Sequence, residues 1–492
     1  MKFPNAKQLT ALLLLCGLLV GCGEAGAPSG SQSDGSEGST AVRDNLPDDL
    51  DFNGETIRIT IGDYSDAWWG NMYAEESTGN RLNDAIFNSI RSVEERLKVN
   101  LEYTREQFGW STMSDYQTKI TAQIMAGDAG FDLLFSGSTN FSSLTVDNHY
   151  FGDLSSLKYV NLDSPWYNKS ALECIPGDYV DFVMGEFAIG NVDNTFCMYF
   201  NQTLLDEMQI TEDMYDIVDS GKWTLDKMSE LIRGGYADLN GNTEQDAGDR
   251  WGLTFGDINK YLGFLKSCDV NMYRYTKDGF VYEFANERAV NTMAKLRSII
   301  YDSGEAHFAP PLGDADWCYN QPGSNYMSKP FVEGNVMFSA GLVTNAQTTV
   351  SDLTFEWGIL PYPKYDETMK EYQSVLQRYI YAMVPSTLTK TDATGAVLEA
   401  LCSSTYHDVI PEYVEVSLKV RYSPDEDVSR MFDLIRNNIV IDPAEVYSNL
   451  LEYPSGRFKE GLYPQNPEWP TFIAGFSDSL NAKMEKLFTV VK

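Results

Sequence analysis

Between residues 56 and 135 the chain alternates between strand-like and helix-like patterns, and this alternation restricts the fold more than any other feature. Three segments are apolar in the manner of strands: TIRITI (56–61), VNLEY (99–103) and FDLLF (131–135). Two segments between them, 81–99 and 114–127, carry apolar residues three and four positions apart, as amphipathic helices do. This order predicts a parallel α/β unit, whose ligands bind at the carboxyl ends of the strands.

The two patterns recur further along the chain. LLDEMQI and WTLDKMSELIRGG have helical spacing, with Thr224 as the expected N-cap and Gly234 and Gly235 as the stop. Three β-like runs follow, FVEGNVMFSAG, FEWGILPYPKYDE and SVLQRYIYAMVPST, and then the helical ATGAVLEALCSSTYH. A chain of about 450 residues beyond its N-terminal segment is longer than one ordinary domain, so we expect two lobes.

Several of these stretches together resemble one protein family. YFNQTLLDEMQI followed by GKWTLDKMSELI resembles the crossover region of the extracellular solute-binding proteins of ABC importers, in the sugar-binding family 1. FVEGNVMFSAGLV, FEWGILPYPKYDE and YAMVPSTLTKTDATGAVLEAL resemble the segments that follow it there. The resemblance covers most of residues 50–440. It implies an α/β, two-lobed periplasmic-binding-protein-like fold, with mostly parallel sheets flanked by helices and lobes joined by hinge crossovers.

The expected lobes are discontinuous in sequence. Residues 49–198 plus 325–382 are expected to form the N-terminal lobe, and residues 199–324 plus 383–492 the C-terminal lobe. The tail beyond about residue 445, with YPSGRF and YPQNPEWP, resembles no segment of the family.

The N-terminus carries an export pattern. A charged start precedes an apolar run from Leu9 to Val20 that is too short to span a bilayer. The run closes with LVGC, which resembles the lipobox of bacterial lipoproteins and implies a signal peptide over 1–21, a diacylglyceryl group on Cys22 and tethering to the outer face of the cell membrane. Residues 22–48, rich in Gly, Ser and acidic residues, predict a flexible linker. A generic signal peptide with a chance cysteine is the alternative.

Composition excludes one class of partner. The chain has 71 acidic and 37 basic residues and a formal net charge of −34, which disfavours binding to nucleic acid. Five cysteines remain beyond the N-terminal segment, without a CxxC pair, so we expect buried free thiols: Cys174, Cys197, Cys268, Cys318 and Cys402.

The loop GDYSDAWWGN follows the first predicted strand directly and combines aromatic with polar side chains. A sugar binder needs flat apolar faces for pyranose C–H groups and planar polar groups for hydroxyls. The candidate ligand contacts in this loop are Asp63, Tyr64, Asp66, Trp68 and Trp69. Two adjacent tryptophans cannot easily pack on the same side, so we expect one indole in the cleft and the other in the core. Packing of one or both against the core is the alternative.

Further candidates lie at predicted strand ends and crossovers: Ser136, Ser138, Asp193, Asn194, Trp317, Arg378 and Tyr379. Trp223, in GKWT, is interpreted as structural because it precedes a helix start.

The segment DLNGNTEQDAGD has the spacing of a calcium loop. Oxygen-bearing side chains occupy positions 1, 3, 5, 9 and 12, and Glu244 at position 7 would give its carbonyl: Asp238, Asn240, Asn242, Glu244, Asp246 and Asp249. The loop resembles EF-hand-like loops of the family but has Thr243 in place of the turn glycine and Asp249 in place of the long glutamate. A structural Ca²⁺ and an ordinary polar loop both remain open, and no other cofactor is expected.

No catalytic motif is evident in the sequence. There is no P-loop, GxSxG or HExxH, and the three histidines have no recognisable partner. The resemblance therefore implies a monomeric, non-enzymatic receptor that binds a mono- or oligosaccharide and delivers it to the transmembrane subunits of an ABC permease. The alternatives are a binder of peptides or other non-sugar solutes and, with paired carboxylates, an exported glycan-acting hydrolase.

Overall fold

The computed structural model describes residues 44–66, 68–137, 150–310, 314–319, 326–418 and 425–491. Cys22, the predicted signal peptide, most of the predicted linker, Ser138 and the predicted lobe boundary at 324–325 lie outside these ranges. None of the helices within them combines the length and apolarity needed to cross a bilayer.

The strands are β1 Glu55–Tyr64, β2 Val99–Phe108, β3 Leu133–Gly137, β4 Val183–Met184, β5 Phe196–Asn201, β6 Trp251–Phe255, β7 Tyr273–Thr276, β8 Gly279–Tyr282, β9 Cys318–Tyr319, β10 Met327–Ser328, β11 Val336–Leu342, β12 Trp357–Leu360 and β13 Ile380–Met383.

The α-helices are α1 Arg81–Leu97, α2 Met113–Met125, α3 Lys169–Leu172, α4 Gly190–Asp193, α5 Gln202–Glu207, α6 Met214–Asp219, α7 Leu225–Leu231, α8 Gly263–Ser267, α9 Glu287–Arg297, α10 Lys329–Val332, α11 Asn345–Thr348, α12 Thr391–Ser404, α13 Ile410–Leu418, α14 Asp425–Asn437, α15 Pro443–Val446, α16 Ser455–Gly461 and α17 Trp469–Val491. Short 3₁₀ turns lie at Trp69–Asn71, Trp110–Thr112, Leu154–Ser156, Ile258–Leu262 and Val350–Asp352, and π-helical turns at Ser298–Asp302 and Thr405–Val409.

The first sheet confirms the α/β unit predicted at the start of the chain. Its strand order is β2-β1-β3-β13-β4, with β1 parallel to both β2 and β3. Helix α1 begins at Asn80, whose side chain accepts a hydrogen bond from Asn83 N, and buries Ile86, Ile90, Val93 and Leu97 along one face. The helical spacing in the sequence therefore corresponds to the face packed on the sheet.

The second sheet has the order β12-β5-β11-β6. Strand β11 is parallel to β6 and antiparallel to β5, which is antiparallel to β12. In the first sheet β13 is antiparallel to both β3 and β4. Both sheets are therefore mixed, and the expectation of mostly parallel sheets is wrong. The chain reverses between the sheets, so a strand that returns from the other lobe enters antiparallel to its neighbour.

The sheet pairings also correct the predicted lobe boundaries. Strands β11 and β12, inside the 325–382 segment assigned to the N-terminal lobe, belong to the second sheet. Strand β5 joins that sheet from Phe196 onward, and α12, assigned to the C-terminal lobe, packs on α1 of the first. Apolar strands that are buried on both faces fit either sheet, so their composition does not reveal which one they join.

The predicted linker is shorter than expected. The carboxylate of Asp44 accepts two hydrogen bonds of 2.7 Å from the guanidinium of Arg96, and Leu46 is buried against the first sheet's core. Residues 44–48 are therefore packed, because a bidentate ion pair and one apolar side chain hold them.

The crossovers between the two sheets are hydrogen-bonded to one another. Val343 N donates to Thr195 O at 2.9 Å, and Thr344 N donates to Asp193 O at 2.8 Å. Gln377 N donates to Asn194 O at 2.9 Å. The long β-like run predicted around residues 374–387 is a regular strand only in β13, because its first part forms this crossover.

The C-terminal tail packs on the second lobe. Trp469 at the start of α17 is 1% exposed, and its indole nitrogen donates to Phe284 O at 2.9 Å. Helix α16 packs against the turn Ile258–Leu262 that follows β6. The five cysteines of the described ranges are buried and form no disulfide with one another, as the sequence predicted.

Candidate functional site

The loop after β1 is held by Asp63. Its carboxylate is buried and accepts hydrogen bonds from Trp68 N at 2.8 Å and Trp69 N at 3.2 Å. The other carboxylate oxygen accepts from Arg105 Nε at 2.7 Å. Every polar contact of Asp63 is thus within the protein, and its role is to shape the loop.

The two adjacent tryptophans have different environments. Trp68 is 2% exposed and packs against Tyr64 and Phe108, with ring centroids 5.8 and 6.4 Å away. Trp69 is half-buried, with its ring 4.8 Å from that of Tyr73. Trp68 therefore belongs to the core of the first lobe, and Trp69 is the indole with surface left for a ligand.

Asp66 lies at the exposed tip of the same loop. Its φ of +63° follows a φ of +53° at Ser65, so two residues turn the chain through the left-handed region. The Asp66 carboxylate pairs with the Arg105 guanidinium and accepts from Gln107 Nε2 at 2.7 Å. Neither Arg105 nor Gln107 was predicted from the sequence, because strand-borne polar residues do not stand out there.

Tyr64 and Arg378 come together where the two sheets meet. The Arg378 guanidinium carbon lies 5.0 Å from the centroid of the Tyr64 ring. Within the described residues, Arg378 has no hydrogen-bond acceptor and no ion-pair partner. Burial lowers the pKa of Arg378 below its ordinary value. A planar aromatic face and a cation are thus presented together at the carboxyl end of β1.

The crossover beside Arg378 adds three polar groups. Asn194 Nδ2 donates to Asp193 Oδ1 at 2.6 Å, and burial raises the pKa of Asp193 to about 7. The side-chain oxygen of Gln377 is buried and receives no hydrogen bond from the described residues. The sequence predicted Asp193 and Asn194 here, and missed Gln377.

Three other predicted contacts pack against protein neighbours. Ser136 is buried in the first lobe and accepts from Tyr116 OH at 3.1 Å. Tyr379 is 3% exposed, with its ring 6.4 Å from that of Tyr381. Trp317 stacks on His307 with centroids 3.3 Å apart. Ser136 and Tyr379 are buried and expose no surface to a ligand. Trp317 has one face covered by His307.

One aromatic contact links β2 to the tail. The exposed Trp110, which follows β2, has its ring 5.4 Å from that of Tyr453. Glu452 and Tyr453 have φ values of +59° and +55°, an unfavourable conformation for non-glycine residues. Burial raises the pKa of Tyr453, and the nearby Tyr64 hydroxyl adds to the rise.

The predicted calcium loop is held by hydrogen bonds among its own residues. Asp246 accepts hydrogen bonds from Asn240 Nδ2 at 3.1 Å and Asn242 Nδ2 at 2.6 Å. Asp238 accepts from Thr243 N at 2.9 Å, and Thr243 takes a φ of +64° where a glycine is usual. The sharp turn of an EF-hand-like loop therefore forms without its glycine.

The buried end of the loop is Asp249, whose carboxylate is 0% exposed and accepts from Leu239 N at 3.2 Å. Among the described residues, no group of three His, Cys, Asp or Glu side chains is placed to hold a metal ion. A cation here would instead require the amide oxygens of Asn240 and Asn242 and the carbonyl of Glu244. Such neutral oxygens are common in calcium sites, so the donor set fits the ion.

Solved structures share this fold. An ABC substrate-binding protein from Listeria monocytogenes in complex with cycloalternan matches with a TM-score of 0.52 and 15% identity, over 88% of this chain and 99% of that chain. The lacto-N-biose-binding protein of an ABC transporter from Bifidobacterium longum has a TM-score of 0.54 and 11% identity, over 89% and 98%. The GacH receptor of Streptomyces glaucescens, solved with and without acarbose, has a TM-score of 0.52 and 12% identity, over 88% and 99%.

Neither a protein-family model nor a curated protein sequence matches the chain. The structural matches nevertheless cover almost the whole of each solved protein. The chain therefore has the two-lobed α/β fold of sugar-binding solute-binding proteins of ABC importers, as the sequence predicted.

Proposed function

We propose that this protein is an extracellular solute receptor that binds a mono- or oligosaccharide between its two lobes and delivers it to an ABC importer. One observation carries the proposal. The Tyr64 ring, the Arg378 guanidinium and the Gln377 amide lie at the carboxyl end of β1, beside the crossovers between the sheets. The fold's structural neighbours, several of them solved with carbohydrates, support the same assignment.

The chemistry of these groups suits a hydroxyl-rich solute. An aromatic face stacks on pyranose C–H groups, and planar amide and guanidinium groups hydrogen-bond to hydroxyls. Contacts to both lobes would exist only in a closed arrangement. The solute would therefore shift the population of the protein towards closure through its differential affinity.

A thermal-shift screen with a sugar panel tests this function, since a solute that binds only the native state raises the melting temperature. With the sugar that the screen identifies, Tyr64→Ala should weaken binding roughly 30-fold or more in calorimetric titration, by analogy with interface hot spots. Tyr179→Ala, at an exposed tyrosine outside the Tyr64–Arg378 group, is the matched control. Equal affinities of the two variants would contradict the proposed site.

Two alternatives would give other results in the same experiments. A binder of peptides or other non-sugar solutes would show no shift with any sugar. An exported glycan-acting hydrolase would release reducing sugar from oligosaccharides, whereas we propose that this protein is not an enzyme. The structural neighbours that support the assignment are named as binding proteins.

We also propose that the protein is exported and anchored by a lipid, because the LVGC motif ends at Cys22. We further propose that it is a monomer. A diacyl anchor supplies two chains, which is enough for stable attachment. Cys22→Ser should leave the protein unanchored in detergent partitioning. If this variant partitions with the detergent at the mass of the parent, the lipoprotein assignment is wrong.

A structural Ca²⁺ in the Asp238–Asp249 loop is a separate proposal. It is supported by the sequence spacing of the five oxygen-bearing side chains and by the left-handed turn at Thr243. A bound cation would neutralise the charges of Asp238 and Asp246 and would fix the conformation of the loop that leads into β6.

A further inference from the structure

A small group of cations surrounds one carboxylate at the carboxyl end of β6. The carboxylate of Asp257 is fully buried and accepts from Lys260 Nζ at 3.0 Å. Lys260 is itself fully buried. This ion pair is therefore complete without any further charge.

Two further cations face the same carboxylate. Lys459, on α16 of the tail, donates to Asn259 Oδ1 at 2.6 Å. Burial lowers the pKa of both Lys459 and Arg378, and the Asp257 carboxylate opposes the shift in each case. Lys260 is thus paired with Asp257 directly, and Lys459 reaches the same turn through Asn259.

Lys459 has other carboxylates near it, but Arg378 does not. Glu445 and Glu460 both act to raise the pKa of Lys459. The charged or ionisable groups that raise the pKa of Arg378 are Tyr64 and Asp257, and Asp257 is already paired with Lys260. Within the described residues, Arg378 is thus a cation without a counter-ion of its own.

This is unusual for a chain with 71 acidic and only 37 basic residues. Several other sheltered cations have a carboxylate partner, whereas the buried Lys364 donates to the carbonyl of Met369. Lys266 pairs with Asp442 at 2.8 Å, and the Arg436 guanidinium pairs with Glu186. Arg378 is half-buried, so water or a solute supplies the acceptor that the described residues do not.

The geometry around Arg378 indicates what could supply it. The guanidinium carbon lies 5.0 Å from the centroid of the Tyr64 ring, and the five N–H donors of a guanidinium form a planar fork. A carboxylate matches this planar fork with two parallel hydrogen bonds, which a single hydroxyl cannot do.

We infer that the solute is an acidic sugar, a uronic acid or a uronate-containing oligosaccharide, whose carboxylate is bound by Arg378. This inference rests on the proposed function, because it specifies the solute of the same cleft.

The test compares sugars that differ only in the acidic group. Galactose with galacturonate, glucose with glucuronate, and their oligosaccharides form matched pairs for thermal shift and calorimetric titration. We expect the acidic member of one pair to bind and its neutral counterpart to bind at least ten-fold more weakly. Arg378→Gln should reduce the affinity for the acidic sugar about 10- to 100-fold, the range expected for hydrogen bonds to a charged group.

Arg274→Gln is the control, because this exposed arginine on β7 pairs with Glu283 and lies outside the Asp257 group. It should leave the affinity for uronates unchanged. If Arg378→Gln does not fold, Arg378→Lys keeps the charge but loses the planar fork, and should still weaken binding of the uronate while the melting temperature without ligand is maintained.

The outcomes separate the two proposals. Tighter binding of the neutral sugars, or an unchanged uronate affinity in Arg378→Gln, would overturn the acidic-sugar inference and leave the sugar receptor intact. A clear preference for galactose 6-sulfate over galacturonate would overturn the carboxylate assignment. Failure of every neutral and acidic sugar to bind would overturn the proposed function and the inference with it.

Discussion

The contact between Trp68 and Gly137 provides a sharp test of how the loop after β1 is built. A methyl group at Gly137 would lie 2.3 Å from the outer edge of the Trp68 ring, far inside van der Waals contact. A buried tryptophan removes about 200 Å² from water, worth roughly 5 kcal/mol at about 25 cal/mol per Å². This is an upper estimate, and Trp68→Ala should cost about 3–5 kcal/mol of unfolding free energy.

Gly137→Ala should cost about 1–3 kcal/mol or more in the parent, because the added methyl group overpacks the site. In the Trp68→Ala background the same methyl group would enter the space left by the indole. The two costs should therefore not add, with an interaction energy of at least about 1 kcal/mol. Urea unfolding of the four proteins, followed by circular dichroism, measures this cycle. An equal cost of Gly137→Ala in both backgrounds would refute the contact.

Three further predictions follow from the structure. A metal chelator should lower the melting temperature of the protein by several degrees, and Asp238→Ala should remove that sensitivity. If the melting temperature of the parent does not change on adding chelator, the loop does not bind calcium. Asp193, with its pKa raised from 3.8 to about 7, takes up a proton on folding between about pH 4 and 7, so the protein loses stability as pH rises through this window. Asp193→Asn should therefore gain stability over the parent between pH 5 and pH 8 in urea titrations, and a constant difference would contradict this. Asp442→Ala should cost about 3–5 kcal/mol because it leaves Lys266 buried and unpaired, whereas Asp278→Ala, at an exposed aspartate, should cost little.

The sequence predicted the local elements of the fold well. Periodicity located β1, α1, β2, α2 and β3 to within a few residues, because each element buries one continuous face whose spacing is visible in the sequence. The cap at Thr224 was also correct, since its side chain accepts from Lys227 N at 3.2 Å. Such features depend on neighbours in the chain and are therefore readable from it.

Features that depend on distant partners were not readable. The assignment of β11 to the second sheet rests on pairing with β5 and β6, some 80 to 140 positions earlier. The burial of Trp68 depends on Gly137 across the sheet. Each needs two segments whose proximity only the folded chain establishes.

The candidate site shows the same division. Aromatic and polar composition directed attention to Tyr64 and Arg378, which the structure brings together. Composition could not show that Arg378 lacks a counter-ion, because that property depends on every carboxylate around it. The tail, which resembled nothing, supplies Lys459 and Tyr453 to the neighbourhood of this site.

The hydrogen bonds among the crossovers have a consequence for how motion between the lobes would be detected. The amides of Val343, Thr344 and Gln377 donate to carbonyls of the neighbouring crossover rather than to either sheet. A rotation that leaves these bonds intact would make the crossovers a torsional axis, with the displacement carried by the bodies on each side. In deuterium exchange, the three amides should then stay protected with and without solute, while the loop after β1 becomes slower to exchange as solute is added.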